Sequence, residues 1–202
     1  MGIQQSGQQR LDDRPAGEPE DIGRLIHELT GRGLAHYEID APSDPAGEWF
    51  VDLAIGDFET VVGFRPNAGF GIHTSEALYG SRPDEVFGDA HRTAIRLGQL
   101  AVQHAAGRGL RSPGLRDLRN LLEMQQASVA AAYGGDQAAI SRLEARNDHK
   151  LSTIADYVRA LGGKLELRVR FDGFEAPIHI GRDAPEAGGA GPVRKARPSR
   201  RR

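Results

Sequence analysis

The stretch QASVAAAYGGDQAAISRLEAR, residues 126–146, leaves this 202-residue chain the fewest choices of local structure. Two short apolar-periodic runs are separated by Gly134-Gly135, and Asp136 stands where a helix N-cap is wanted. Ala130 is small, as a residue must be where a second helix crosses closely. Gly134, four residues on, tolerates the positive φ of a tight turn. Ile140 and Leu143 then share one face of the second run, available to bury against the first. The spacing Gln126, Ala130, Gly134, Ile140, Leu143 predicts a helix over 126–133 docked on a helix over 136–146, a helix-turn-helix. A helical hairpin with no further role satisfies the same spacing.

The flanks extend the pattern. Residues 115–124 and 152–161 read as two more short helices, the latter ended by Gly162-Gly163. KLELRVRF, residues 164–171, alternates with a period of two and reads as one strand. Upstream, Ile22, Leu25, Ile26 and Leu29 lie at helical spacing, and residues 36–40, 48–55, 58–64 and 70–73 have strand character. Gly56-Asp57 between two such runs signals a hairpin. Residues 89–106 form a longer helix with a broad stripe of Ala94, Ile95, Leu97, Leu100, Ala101 and Ala105. The fold class expected is α+β: a small antiparallel sheet with helices, then an all-α helix-turn-helix bundle followed by one β-strand. Glycines and Ser112-Pro113-Gly114 place the boundary between 21–110 and 114–172. Residues 1–20 and 182–202 lack any period and read as disordered ends.

DQAAISRLEAR resembles the recognition helix of the Xre (Cro/C1-type) helix-turn-helix regulators. LRDLRNLLEMQQ before it and LSTIADYVRALGGKLELRVRF after it resemble the HigA-like antitoxin branch, in which a helix and a strand follow the DNA-binding unit. The resemblance covers about residues 115–171 and extends to no part of 1–85. It implies a DNA-binding transcriptional regulator, a repressor, that is not an enzyme. In the antitoxin form it also neutralises a toxin ribonuclease and regulates its own operon. The partners implied are double-stranded DNA, a second copy of the chain, and a protein or small effector at residues 21–110.

The major groove admits one α-helix and displays a distinct donor and acceptor pattern for each base pair. The second helix of such a motif enters it N-terminus first. On this chain Gln137, Ala138, Ser141 and Arg142 would face the bases. Gln137 suits adenine, Ala138 a thymine methyl, and Arg142 either guanine or a phosphate. By resemblance, Gln126 begins the preceding helix, bonds a phosphate and braces Gln137. Arg146, Lys150 and Ser152 are further phosphate candidates. An intrahelical ion pair is the competing role for Arg142, and Glu144 suits the fold better than it suits DNA.

Charge is divided unevenly. Residues 1–109 hold 9 basic and 17 acidic side chains, and residues 110–202 hold 17 and 11. A polyanion would meet the second half and be repelled by the first. The end, RKARPSRRR, puts six positive charges into nine residues, either a nonspecific DNA contact or a solubilising tail. The alternating strand offers its edge to a second copy for dimer formation or packs within the chain. There are no cysteines, so disulfides and thiolate chemistry are excluded. No apolar run nears the ~18 residues of a membrane span, and the polar start lacks an apolar leader core, which fits a cytoplasmic protein. Asp84, Glu85, Asp89 and His91 could hold a hard metal, but they suit a solvated loop and a helix start better, and no cofactor is expected. Trp49, Phe50, Phe58, Phe64 and Phe70 would line a pocket or fill a core.

Overall fold

A computed structural model describes residues 15–44, 47–74 and 82–178. The expected disordered tail at 182–202, and most of the expected disordered start, lie outside those residues. By contacts the chain forms two compact units, one up to Gly163 and one from Lys164.

The first unit opens with α1 (Glu20–Thr30), whose Ile22, Leu25, Ile26 and Leu29 are buried. Five strands follow: β1 (Leu34–Asp40), β2 (Trp49–Ile55), β3 (Phe58–Arg65), β4 (Gly69–Ile72) and β5 (Glu85–Phe87). They make an antiparallel meander in the order β1-β2-β3-β4-β5. In β2 the odd residues Trp49, Val51, Leu53 and Ile55 are buried and the even ones are not, so one sheet face carries the core. Next comes α2 (Ala90–Ala105), capped by the Asp89 carboxylate, which accepts from the Arg92 N–H at 2.8 Å. The two helices pack on each other, and their buried faces join the inner sheet face in one apolar core. Trp49, Phe58, Phe64 and Phe70 belong to that core and fill space in it, whereas Phe50 is half-buried and lies outside it. Gly69 has φ +85°, and a Cβ there would collide with the Phe87 carbonyl, so only glycine fits where β4 passes β5.

A charge is sealed beside this core. Arg96 on α2 is fully buried and holds Glu85 of β5 through two hydrogen bonds of 2.7 Å. It also donates to the Arg111 carbonyl. Gln103 accepts from the Arg111 N–H at 3.1 Å, and Gln99 donates to the Asp117 carbonyl at 3.2 Å. The connection after α2 is thereby bonded along that helix. The strand β5 was not anticipated. It is three residues long, too short for a legible period, and pairs with β4 while Arg96 holds its Glu85.

Four short helices complete the first unit: α3 (Leu115–Leu121), α4 (Gln126–Tyr133), α5 (Gln137–Glu144) and α6 (Leu151–Ala160). They enclose a second, smaller core of Val129, Ala130, Ile140, Leu143 and Tyr157.

The second unit is a hairpin, β6 (Leu167–Phe171) and β7 (Phe174–Ile178), where one strand was expected. Asp172-Gly173 is the turn, with Gly173 at φ +87°. Register and alternation put Leu167, Val169, Phe171, Phe174, Ala176 and Ile178 on one face. Arg168, Arg170 and Glu175 occupy the other face and pair there. Among the described residues no helix is long and apolar enough to cross a membrane.

Candidate nucleic-acid interface

The site is built from α4, its turn and α5. Gly134 caps α4 in the left-handed region at φ 81°, and its N–H and that of Gly135 both donate to the Ala130 carbonyl at 3.0 Å. These two hydrogen bonds to one carbonyl close the turn at the end of α4. The Asp136 carboxylate then accepts from the Ala139 N–H at 2.6 Å and starts α5. Ala130, only 4% exposed, lets the two helices approach.

Helical spacing of about 100° per residue sorts the side chains of α5. Ile140 and Leu143 fall on one side and are buried against Val129 and Tyr157. Gln137 with Ser141, and Ala138 with Arg142, form two adjacent four-residue ridges on the opposite side. Gln137, Ala138 and Arg142 are exposed, and Ser141 is half-buried. Arg146 follows α5, Lys150 is the N-cap residue of α6 and Ser152 lies in its first turn, and all three are exposed. Among the described residues Arg142, Arg146 and Lys150 enter no ion pair, so the expected alternative of an intrahelical pair for Arg142 is not formed.

Glu144 goes elsewhere. Its carboxylate, fully buried, accepts from Arg119 Nε at 2.6 Å and Nη2 at 3.0 Å, from Gln126 Nε2 at 3.0 Å and from the Tyr157 hydroxyl at 2.7 Å. Arg116 adds an ion pair at 3.6 Å. Burial alone would push this carboxyl up, but the hydrogen bonds from Arg119, Gln126 and Tyr157 and the Arg119 charge outweigh it and hold it at about 2. Burial, then the hydrogen bond to Glu144 and its charge, drives the Tyr157 phenol well above its usual range. Arg119 also donates to the Met124 carbonyl at 2.8 Å, so one guanidinium ties α3, the lead-in to α4 and the end of α5.

Gln126 therefore brings its amide nitrogen to Glu144, where the resemblance implied a brace for Gln137. Sequence reasoning missed Arg119 and Tyr157 altogether. Each is one residue in a short helix, and their shared partner lies 25 and 13 positions away. The four groups considered for a metal are dispersed. Glu85 meets Arg96, Asp89 caps α2, Asp84 accepts from Thr74, and His91 meets Glu28 and Glu123. On the outer sheet face an open recess of about 400 Å³ is lined by His36, Asp52, Leu53, Ala54, Glu59, Thr60 and Val61.

The chain is similar to a solved structure titled "DNA bound antitoxin HigA3". Identity is 31%, the match covers 37% of this chain and 99% of that one, and the TM-score is 0.34. No protein-family model matches the chain, and no curated protein matches it.

Proposed function

We propose that this chain is a sequence-specific DNA-binding regulator of the Xre type that inserts α5 into the major groove and represses by occupying its operator. The observation that carries the reading is the division of α5 into a buried side, Ile140 and Leu143, and an opposite side holding Gln137, Ala138, Ser141 and Arg142. An amide, a methyl, a hydroxyl and a guanidinium on one accessible helix face match the chemistry displayed by base edges. Arg146, Lys150 and Ser152 flank that face and would hold phosphates, which sets register without reading sequence. Gln126, with its nitrogen engaged by Glu144, sits at the first turn of α4, where phosphate contact is the role proposed for it.

One recognition helix reads only a few base pairs, so the reading includes a two-fold dimer. The β6–β7 hairpin supplies the surface. A lone two-stranded hairpin is marginal in water. This one gathers six apolar side chains on one face, with Phe171 and Phe174 56% and 59% exposed and their rings stacked at 4.8 Å. A second hairpin, face to face, is the self-complementary partner that two-fold symmetry requires. Ultracentrifugation at tens of micromolar is expected to give a dimer, and Phe171→Ser with Phe174→Ser a monomer. A wild-type monomer at that concentration would remove the dimer from the reading.

The decisive experiment is selection from random duplex DNA, followed by Gln137→Ala, Ser141→Ala and Arg142→Ala. A residue contacting a base should cost about 1–3 kcal/mol and relax preference at one position. A uniform loss over all sequences would reassign it to phosphate, and failure to enrich any sequence would end the reading. An antitoxin role adds a toxin partner to the same DNA function. Inhibition of a ribonuclease encoded beside the gene separates the two forms.

A further inference from the structure

His91, in the first turn of α2, is held at both ring nitrogens. Its Nδ1 lies 3.2 Å from Glu28 Oε2 on α1, and its Nε2 lies 3.2 Å from Glu123 Oε2, just beyond α3. A neutral imidazole carries one N–H and would turn a lone pair toward one of these carboxylates. Only the imidazolium donates to both. Glu123 is the only non-glycine residue with positive φ among the described residues, at 52°. That region is unfavourable for a residue with a Cβ, so the turn is held by its contacts.

We propose that His91 is a proton-operated clasp that fastens the sheet and its helices to the turn leading into α4. The two arms are unequal. Arg32 also lies 3.9 Å from Glu28 Oε2, so Glu28 keeps a cation nearby when the ring loses its proton. Glu123 is 66% exposed and has no second ion pair among the described residues. The Glu123 arm therefore lets go. Other charged groups around the ring are engaged with one another: Arg24 with Glu20 and Asp21 on α1, and Arg92 with Asp89 at the start of α2. His27 lines the same cleft on α1. From α3, Arg119 is committed to Glu144. Release acts on Met124, whose carbonyl Arg119 holds, and on Gln125, the N-cap of α4.

Hydrogen bonds from Glu28 and then Glu123 hold the imidazole pKa above its ordinary 6.5. A raised value means the clasp is closed below the unfolded value and opens as pH rises through the folded one. The test needs no DNA: ring and backbone NMR titration of the full chain. His91 should titrate above 6.5, and the Glu123 and Met124 amide shifts should follow its midpoint. Glu123→Gln keeps an acceptor but removes the charge and should lower that midpoint. Glu123→Gly removes both the arm and the backbone penalty. It should fold and lose the coupled amide response. A His91 midpoint at or below 6.5, or Glu123 and Met124 shifts that ignore it, would overturn the clasp.

Discussion

At the scale of single residues, Glu144 decides how the helical core holds together. A carboxylate with no exposed surface is tolerated because three side chains donate four hydrogen bonds to it, two of them from the Arg119 guanidinium. Its pKa is depressed from 4.5 to about 2, so its contribution is complete above 4.5 and is lost as pH falls toward 2. That difference corresponds to stability on the order of 3 kcal/mol. Glu144→Gln should therefore lower neutral-pH stability by roughly 3 kcal/mol or more, since it leaves Arg119 without its counter-charge. Urea unfolding of the two proteins at pH 7 and pH 3 checks this, with the gap expected to narrow at the lower pH. An unchanging gap would mean that the side chain stabilises by shape alone. Residues of this kind are the least legible in a sequence. Glu144 could be set apart from the proposed DNA face because a carboxylate suits phosphate poorly. Nothing local in the sequence pointed to Arg119 or Tyr157 as its partners, nor to Arg96 as a buried cation, because the pairing depends on the tertiary fold.

Elements were more legible, because period and punctuation act within a few residues. Gly134, Asp136 and the spacing of Ala130, Ile140 and Leu143 specify α4, the turn and the start of α5 from inside the segment, whereas α5 ends at Glu144, short of the expected 146. The Gly56-Asp57 turn between β2 and β3 follows the same logic, and Gly56 has φ 59°. The misses came where local signal was thin. β5 is three residues long and is held by a side chain from α2. β7 contains Pro177, which weakens its strand character, although Asp172-Gly173 before it is a hairpin signal that could have been taken. The turn itself can be tested without disturbing packing. A Cβ at Gly134 would meet nothing within 4 Å, so Gly134→Ala changes only the backbone term at φ +81°. It should cost about 1 kcal/mol in thermal or urea unfolding, from the left-handed conformation alone. A neutral result would show that α4 ends in another way in solution.

Across the whole molecule the governing quantity is the charge asymmetry, eight net negative charges over residues 1–109 and six net positive over 110–202. Under the proposed DNA reading, a duplex would be drawn toward residues 110–202 and repelled from residues 1–109, which would bias the encounter before any base is touched. The final nine residues carry six of the positive charges, at the end of the chain opposite the acidic start. Under the DNA reading their contribution is counterion release. Each phosphate neutralised steepens the fall of log affinity with log salt by roughly 0.9. Deleting residues 194–202 should therefore weaken binding at low salt and flatten that slope, by up to several units if every charge is engaged, and leave the selected sequence unchanged. Titrations of one duplex at four or five salt concentrations, with full-length and shortened chains, measure both effects. A changed site preference would make the tail a base reader, and an unchanged slope would make it a solubilising end. In the second case the salt dependence would rest on Arg142, Arg146 and Lys150, and charge-removing variants at those three positions should then reproduce the flattening.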